Sequence, residues 1–512
     1  MTNGAPEHLD VIVVGAGLSG IGAAWHLQQR LPGLSYLILE GRDAIGGTWD
    51  LFRYPGVRSD SDMYTMGYRF RTWQGGPAIA DGRSIKTYIE NTARESGIDE
   101  RIRFGHRVVR AKWSSETCQW TVETEVGPEG RPATFTCGFL YTCTGYYRYD
   151  TGHAPEWPGM DRFAGDIVHP QHWPEDLDHS GRDVVVIGSG ATAVTLVPAL
   201  ATGSGSARHV TMLQRSPTYI ASMPSHDRIA ETLGRFLPTK AVYALSRWRR
   251  IVFGMLSFKL ARSRPEFMKH LLMRGVRHEL GPYFDVATHF TPRYDPWDQR
   301  LCLAPDGDFF AALRDGRASI VTDHIERFTE TGIDLRSGEH LDADLIVSAT
   351  GLEILVLGGI ELVVDGDPVD LSETLTYKGM MYSDVPNLVS TFGYTNASWT
   401  LKADLTAEHV CRLLDHMRRH GYDRVTPRRP AVAVEQLPAL DFTSGYVQRA
   451  LDRLPKQGSR APWRVHQNYV KDLFVFRFAP VDDPALEFRS APVDHAGQHD
   501  QQAPATRQAP TG

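Results

Sequence analysis

Two glycine-rich turns, each beside short apolar runs, constrain the fold of this chain more than any other feature. The first, Gly15-Ala-Gly17-Leu-Ser-Gly20, lies between the apolar runs 9–14 and 36–39. The second, Gly188-Ser-Gly190-Ala-Thr-Ala193, directly follows the apolar run 184–187. A strand, a glycine turn, a helix and a second strand in this order form a dinucleotide-binding unit. The sequence therefore predicts an α/β fold with two Rossmann-like domains.

The residues around the first turn suit a dinucleotide whose ribose hydroxyls are free. Gly15 permits the tight turn, Gly17 lets the backbone approach a pyrophosphate, and Gly20 lets the helix pack close to the strand. The helix N-terminus then favours a diphosphate. Glu40 ends the second apolar run, where a carboxylate can accept from ribose hydroxyls but would repel a 2′-phosphate. The first site is thus predicted to bind FAD or NAD, the alternative being a surface glutamate beside a glycine turn.

The second turn, with Gly188 and Gly190, has different chemistry at the end of its second strand. That strand ends in Gln214-Arg215-Ser216, with no acidic residue. An arginine at this position can hold a 2′-phosphate through charge-assisted hydrogen bonds. We therefore predict NADPH binding that involves Arg215 and Ser216. The alternative is that Arg215 is a solvated surface charge.

Composition excludes several classes of protein. A length of 512 residues suggests two or three domains, and a net charge of -6 gives no reason to expect a nucleic-acid partner. The five cysteines are scattered without C-x-x-C spacing, so we predict buried thiols and no metal site. No basic and apolar leader is evident, and no apolar run reaches the ~18 residues of a membrane-spanning helix. We expect a cytoplasmic protein.

Two further runs resemble the signatures of the Baeyer–Villiger monooxygenases, flavoenzymes that insert one oxygen atom of O2 next to a carbonyl group. The run F-x-G-x-x-x-H-x-x-x-W-P joins the two glycine turns and contains Phe163, Gly165, His169 and Trp173. Residues 46–60 match the second signature, [A/G]-G-x-W-x-x-x-x-[F/Y]-P-[G/M]-x-x-x-D, at every specified position; they include Gly47, Trp49 and Asp60. We interpret this second run as a loop over the flavin, packed through its aromatic residues.

The resemblance implies FAD in the first site, NADPH in the second, and O2 with a ketone or sulfide as small-molecule substrates. It implies conversion of aromatic or long-chain ketones to esters, with oxygenation of thioether and thioamide sulfur. Residues 296–303 are similar to the family segment that carries the active-site arginine, which here maps to Arg300. A guanidinium keeps its charge in a dry pocket and can stabilise anionic oxygen there. Asp60 is expected to orient it.

The same resemblance implies the domain organisation. Apolar strands followed by Thr-Gly, at residues 139–145 and 345–351, mark in such flavoenzymes where the chain leaves one nucleotide domain and returns to it. We predict a discontinuous FAD domain of residues 7–150 and 340–485. Residues 151–339 are predicted to form the NADPH domain, with a helical insert at about 225–290. The polar residues 486–512 are predicted to be a disordered tail.

Residues 237–280 carry many lysines and arginines interleaved with apolar residues. We favour a solvated charged face on helices that pack over the nicotinamide domain. Contact with a membrane surface, or a frame around a lipophilic substrate entrance, is the alternative.

Two other segments have predicted structural roles. His169 and Trp173 are expected to fix the relative motion of the two domains, and His169 is not assigned a chemical step. Ser398 precedes a long helical pattern and is predicted to cap a helix whose N-terminus faces the flavin. Residues 393–405 and 454–463 look like segments of mycobacterial members of the family.

Three other functions stay open on the sequence alone. A flavin monooxygenase restricted to nitrogen or sulfur would carry Tyr or Phe where Trp173 stands. An NADPH-dependent flavin reductase needs both nucleotide sites but has no use for Arg300 and Asp60. A membrane-associated nucleotide sensor would use the basic insert.

Overall fold

The computed structural model describes residues 5–74, 76–203, 205–430, 432–440 and 442–491. The helices of these residues are α1 Leu18–Arg30, α2 Thr48–Leu51, α3 Met63–Met66, α4 Gly82–Glu95, α5 Ala191–Ala201, α6 Arg228–Leu233, α7 Thr239–Ser263, α8 Pro265–Leu280, α9 Val286–Phe290, α10 Asp308–Arg314, α11 Trp399–His420, α12 Gly445–Gln448 and α13 Tyr469–Phe478. Short 3-10 turns occupy Asp99–Arg101, Met160–Arg162, Pro170–His172, Val356–Gly359, Leu371–Glu373 and Leu451–Arg453.

The first nucleotide domain and the segment that connects it to the second contain β1 Glu7–Val14, β2 Tyr36–Leu39, β3 Ile102–Arg103, β4 His106–Ser114, β5 Gln119–Val126, β6 Arg131–Thr142 and β7 Asp166–Val168. The second nucleotide domain contains β8 Asp183–Ile187, β9 His209–Gln214, β10 Ile220–Met223, β11 Cys302–Pro305, β12 Ala318–Thr322, β13 Ile325–Phe328, β14 Gly332–Leu335, β15 His340–Asp342 and β16 Leu345–Ser348. The remaining strands are β17 Glu361–Val364, β18 Asp367–Pro368, β19 Thr376–Tyr377, β20 Met381–Tyr382, β21 Leu388–Ser390, β22 Arg424–Pro427, β23 Gln436–Pro438, β24 Lys456–Gly458 and β25 Leu486–Arg489.

The larger sheet is built from both ends of the chain. Its order is β18-β17-β4-β5-β6-β1-β2-β3, and β21 also pairs with β6. Strand β1 lies parallel between β6 and β2, and its residues Val11–Val14 are buried, as a central parallel strand requires. Because β17, β18 and β21 come from the second half of the chain, this sheet is assembled from two separate segments.

The second sheet shows that the predicted boundary at residue 340 is wrong. This sheet is parallel throughout and has the order β12-β9-β8-β16-β7. Strand β16, which we had assigned to the returning FAD segment, lies between β8 and β7 and belongs to the second domain. The hairpin strands β13, β14 and β15 precede it. The chain therefore returns to the first domain only after Gly351.

The insert is helical where predicted, but it packs differently. Helix α7 packs on the first domain, where Ile251 enters the core that includes α1 and α11. Helix α8 packs on the second domain through Met273 and Val276. The insert thus bridges the two domains, whereas the sequence predicted that it covers only the nicotinamide domain. In the described ranges, no helix has the length and apolar character needed to cross a membrane.

The C-terminal segment corrects the predicted start of the tail. Strand β25, at Leu486–Arg489, pairs antiparallel with β22 and so belongs to the fold. Leu486 is buried in the core of the first domain. The rest of the predicted tail, residues 492–512, lies outside the described residues. All five cysteines are buried free thiols, as predicted.

Candidate active site

The first glycine turn places an uncapped helix N-terminus beside a buried carboxylate. Gly17 is the N-cap of α1, no side chain caps the helix, and no acidic residue occupies its first turn. Glu40 is buried and accepts from the backbone N–H groups of Ala16, at 2.6 Å, and Arg42, at 2.9 Å. Burial raises the pKa of Glu40, against the lowering effect of these two N–H groups. The turn can hold a diphosphate on backbone N–H groups, with Glu40 placed for a ribose.

The second glycine turn is open in the same way. Gly190 is the N-cap of α5, again without a side-chain cap, and a Cβ built on it meets no atom within 4 Å. Arg215 and Ser216 follow β9 and are exposed, and Ser189 Oγ donates to the Ser216 carbonyl at 2.9 Å. Arg215 makes no ion pair with any described residue. Its guanidinium is therefore available to an anion at this strand end, as the NADPH prediction requires.

Residues 46–60 run from the first turn into the second domain. The sequence predicted that they form a loop. In the structure, however, Thr48–Leu51 forms helix α2 with Gly47 at its N-cap. Trp49 packs on the first-domain core, whereas Tyr54 is buried in the second-domain core, where its pKa is raised to about 12 by burial. The segment joins the two nucleotide sites and ends at Asp60.

Arg300 and Asp60 form a bidentate ion pair between two segments that are far apart in sequence. Arg300 Nε lies 2.7 Å from Asp60 Oδ2, and Nη2 donates to Oδ1 at 3.0 Å. The Asp60 carboxylate raises the pKa of Arg300, so its charge is secure. The third nitrogen, Nη1, makes no hydrogen bond with any described residue, so one edge of the guanidinium is free to donate. Arg300 and Asp60, which the sequence analysis expected to interact, are thus in direct contact.

The loop before Arg300 is held in an unusual conformation. Trp297 has a φ of 74°, a region that L-residues seldom adopt, and its ring meets Phe258 of α7 edge-on at 5.5 Å. The Asp298 carbonyl accepts from the backbone N–H of Thr443 at 3.0 Å. A strained residue fixed by two neighbouring segments is a common way to aim a functional side chain.

Three tyrosines near Arg300 were missed by the sequence analysis. Tyr146, Tyr147 and Tyr446 are close enough to interact electrostatically with the Arg300 guanidinium. The hydroxyls of Tyr146 and Tyr147 lie 2.5 Å apart. Burial raises the pKa of both, and Arg300 opposes this only in part, so both are neutral donors. The available signal was the pair of tyrosines directly after Thr144-Gly145, just beyond the end of β6.

Helix α11 begins beside these residues, but its predicted cap is absent. Ser398 is the N-cap residue, yet its hydroxyl bonds to Thr65 Oγ1 at 2.7 Å and does not cap the helix. Trp399 stacks on Tyr146 at 5.0 Å and donates through Nε1 to Ser19 of α1 at 2.7 Å. No side chain of the described residues accepts from the N–H groups at the start of α11, which leaves these groups available to a ligand.

His169 lies at the junction of the two domains. Its Nε2 is 3.3 Å from the Gly351 carbonyl and its Nδ1 accepts from Gln171 N at 3.2 Å, so it is neutral, in line with a pKa lowered by burial. It also lines a small cleft with Tyr54 and Thr192 at the start of α5. The role of His169 and Trp173 in fixing the relative motion of the two domains stays a prediction.

The other residues of this signature pack on the second domain. Phe163 is buried in the core of the second sheet, and a Cβ on Gly165 would stand 2.4 Å from the Asp344 carbonyl. Trp173 packs on the other face of that sheet.

An apolar cavity adjoins Tyr146 on the side of the first domain. The ends of β6 and β21 form one wall, and residues of the C-terminal segment form the other. Its lining includes Tyr146, Ile354, Phe392, Leu440, Leu454 and Val465. A cavity of this kind accepts an aromatic or aliphatic group.

Comparison with known proteins gives matches over nearly the whole chain. Residues 13–79 match the family model described as an NAD(P)-binding Rossmann-like domain. The chain is 56% identical to the FAD-containing monooxygenase EthA of Mycolicibacterium smegmatis over 482 residues, which is 94% of this chain and 97% of that protein. It is 54% identical to the protein of the same name from Mycobacterium tuberculosis, over 95% of this chain and 99% of that protein.

Solved structures show the same architecture at low identity. An oxidized steroid monooxygenase bound to NADP superposes with a TM-score of 0.76 at 23% identity, covering 94% of this chain and 100% of that one. This likeness concerns the fold of two dinucleotide-binding domains.

Proposed function

This chain belongs to the FAD-containing monooxygenases, and from that membership we propose that it is a Baeyer–Villiger monooxygenase that uses NADPH and O2 to convert ketones to esters. The observation that carries the proposal is the Arg300–Asp60 pair, in which Nη1 of Arg300 has no hydrogen-bond partner among the described residues and neutral tyrosines lie beside it. The same site is proposed to oxygenate sulfur in thioethers and thioamides. Membership in this family disfavours the reductase and the sensor.

Each cofactor has residues that fit it. For FAD, the N–H groups at the start of α1 would hold the diphosphate, and Glu40 would accept from the ribose. The uncapped start of α11 would face the electron-rich end of the flavin ring. For NADPH, the start of α5 would hold the diphosphate and Arg215 the 2′-phosphate. When bound and reduced, FAD supplies the two electrons that activate O2 for insertion of one oxygen atom.

The residues of this chain have three tasks in that chemistry. Arg300 would donate through Nη1 to the substrate oxygen and stabilise the negative charge that develops there. Asp60 keeps the guanidinium in one orientation and offsets its charge. The hydroxyls of Tyr146 and Tyr147 would hold a proton next to that oxygen, because their pKa values lie above the ordinary range.

The shape of the site favours lipophilic ketones. The cavity beside Tyr146 is lined by aliphatic and aromatic side chains, so it would hold the part of the substrate remote from the carbonyl. Aromatic and long-chain ketones are therefore the proposed substrate class. Trp173, in place of Tyr or Phe, favours ketone oxidation over chemistry restricted to nitrogen or sulfur.

The proposal is tested by following NADPH oxidation with phenylacetone, with 2-octanone and with a thioether, and by analysing the products by gas chromatography. Ester formed in step with NADPH consumption supports it. Sulfoxide as the sole product would point to a heteroatom monooxygenase, and hydrogen peroxide alone, for every compound, would contradict substrate oxygenation. A visible spectrum of the purified protein establishes beforehand that FAD is bound.

A further inference from the structure

The outward face of α7 carries a row of large apolar side chains, in addition to the solvated charges that we favoured from the sequence. Leu245, Trp248, Val252 and Leu256 are all exposed, Leu256 to 62%. Their spacing of three or four residues places them on one stripe of the helix. Soluble proteins seldom expose large apolar side chains as a continuous stripe. We call these four residues the α7 stripe.

The neighbouring helices extend this apolar surface. Helix α8 exposes Phe267 and Leu271, one turn apart. Helix α13 exposes Phe474 and Phe478, the latter to 70%, also one turn apart. The ring of Trp248 lies 6.0 Å from that of Tyr469, the first residue of α13, so the α7 stripe and α13 are adjacent.

Hydrogen bonds hold the opposite face of α7 against the first domain. The orientation of the helix is therefore fixed, and the α7 stripe stays exposed. Arg247 is buried and donates to the carbonyls of Tyr64 and Gly67, both at 2.7 Å. The Tyr243 hydroxyl donates to the Tyr68 carbonyl at 3.1 Å. These contacts hold the segment that directly follows Asp60. A charged residue therefore points inward from α7 while leucine and tryptophan point outward.

Some cations of the insert are paired with acids and others are not; Arg247 pairs with Asp404 and Arg262 with Asp298. Arg249 and Arg250 pair with Asp227, and Lys269 pairs with Glu266 and Asp295. A second group is exposed and makes no ion pair with any described residue: Lys240, Lys259, Arg264, Arg274 and Arg277. Lys259 lies on the same side of α7 as the stripe, and Arg274 continues the exposed side of α8 beyond Leu271. The apolar surface is thus bordered by uncompensated positive charge.

We propose that the α7 stripe, with the exposed faces of α8 and α13, docks on an anionic lipid surface. The apolar side chains would enter the boundary between headgroups and acyl chains, while the unpaired cations meet the lipid phosphates. A second copy of the chain is the other candidate, but a symmetric contact would bring these unpaired cations close to the same cations of its partner. The surface charge therefore favours the membrane.

The experiment uses the full-length FAD-loaded protein and flotation with phosphatidylcholine vesicles, with and without phosphatidylglycerol. We expect binding to the anionic vesicles only, weakened by salt. Val252→Glu/Leu256→Glu should lower the vesicle-bound fraction at least tenfold. Lys259→Glu/Arg274→Glu should lower it by about tenfold or more, because each cation near an anionic surface contributes about fivefold. Val432→Glu, which changes an exposed valine outside these helices, and Arg131→Glu, which reverses an exposed surface arginine, are the matched controls.

Three results would overturn the proposal. One is equal binding to both kinds of vesicle. Another is no binding by a protein that is monomeric in ultracentrifugation. The third is concentration-dependent self-association that Val252→Glu/Leu256→Glu abolishes, with no vesicle binding, because this assigns the surface to a second copy. Retained FAD and unchanged turnover of a water-soluble ketone in all variants separate this test from that of the proposed function.

Discussion

A Cβ atom on Gly20 would stand 1.8 Å from the carbonyl oxygen of Gly15, closer than any side chain can approach a backbone oxygen. The turn therefore brings α1 against the end of β1 at a distance that only glycine permits. The same contact places the N-terminus of α1 at the mouth of the turn. Two glycines thus determine both the packing of the first domain and the geometry of its anion site.

The first prediction is that Gly20→Ala abolishes FAD binding. The added methyl group cannot be accommodated without moving α1 away from β1, because the atom it meets belongs to the backbone. We expect little soluble protein, or protein without flavin absorbance. Gly33→Ala is the control, since a Cβ there meets nothing within 4 Å. Normal FAD content in Gly20→Ala would show that α1 can shift freely.

The second prediction concerns Arg300. We expect Arg300→Ala to lower the rate of ester formation by about 100-fold or more, the typical cost of removing a donor to developing negative charge. Arg300→Lys should also be poor, because a lysine cannot bind Asp60 in a bidentate manner and donate to substrate at the same time. NADPH oxidation and FAD content should persist in both variants, with hydrogen peroxide as the product. Ester formation at the wild-type rate in Arg300→Ala would remove Arg300 from the mechanism.

The third prediction concerns Asp60, which is proposed to orient the Arg300 guanidinium and to offset its charge. Asp60→Asn keeps the shape of the side chain but removes the charge and one acceptor of the bidentate pair. Both side chains are about one-third exposed, so solvent moderates the loss. We expect about a tenfold lower ratio of ester formed to NADPH consumed, with an unchanged KM for NADPH. A changed KM for NADPH with a normal ratio would place Asp60 in cofactor binding alone.

Features that depend on local sequence were predictable. The turn at Gly15, the strand end at Glu40 and the second strand end at Arg215 each follow from a few neighbouring residues. The pairing of Arg300 with Asp60 was predictable only through the family resemblance. Nothing in the local sequence brings residues so far apart together.

Other features depend on which elements meet in space. A Thr-Gly pair follows β16 just as one follows β6, so the local sequence does not indicate which sheet β16 joins. Tyr446 lies near Arg300 and belongs to α12, a helix of four residues that is too short for sequence periodicity to predict. On α7, Arg247 is buried and Trp248 is exposed, the reverse of the usual pattern, because the backbone carbonyls of residues 64–67 provide acceptors for the guanidinium. The sequence could not indicate this before the partners were known.

The fourth prediction tests the proposed choice of nicotinamide cofactor. Arg215 is exposed and makes no ion pair with any described residue, so Arg215→Ala should leave the fold intact. We expect the KM for NADPH to rise by about 10- to 100-fold, the value of one or two charge-assisted hydrogen bonds. The KM for NADH should change little. Arg327→Ala, which removes an exposed arginine paired with Asp334 in the hairpin of the same domain, is the control. Equal changes for the two cofactors would contradict the role of Arg215.

The last prediction concerns stability at low pH and rests on His409 in α11. Burial, together with the cations Lys378, Arg412 and Lys402, lowers the pKa of His409 to about 3, and the side chain is fully buried. The folded state therefore keeps His409 neutral, whereas the unfolded chain binds a proton below about pH 6.5. Above that pH the residue has no effect. Between pH 6.5 and pH 5 the free energy of unfolding should fall by about 2 kcal/mol on account of this residue, and further toward pH 3. Denaturant unfolding of His409→Gln should show a correspondingly weaker dependence on pH, while His420→Gln, at the exposed end of the same helix, should retain the wild-type dependence. If His409→Gln lost stability as steeply as the wild type, the proton uptake on unfolding would have to come from other groups.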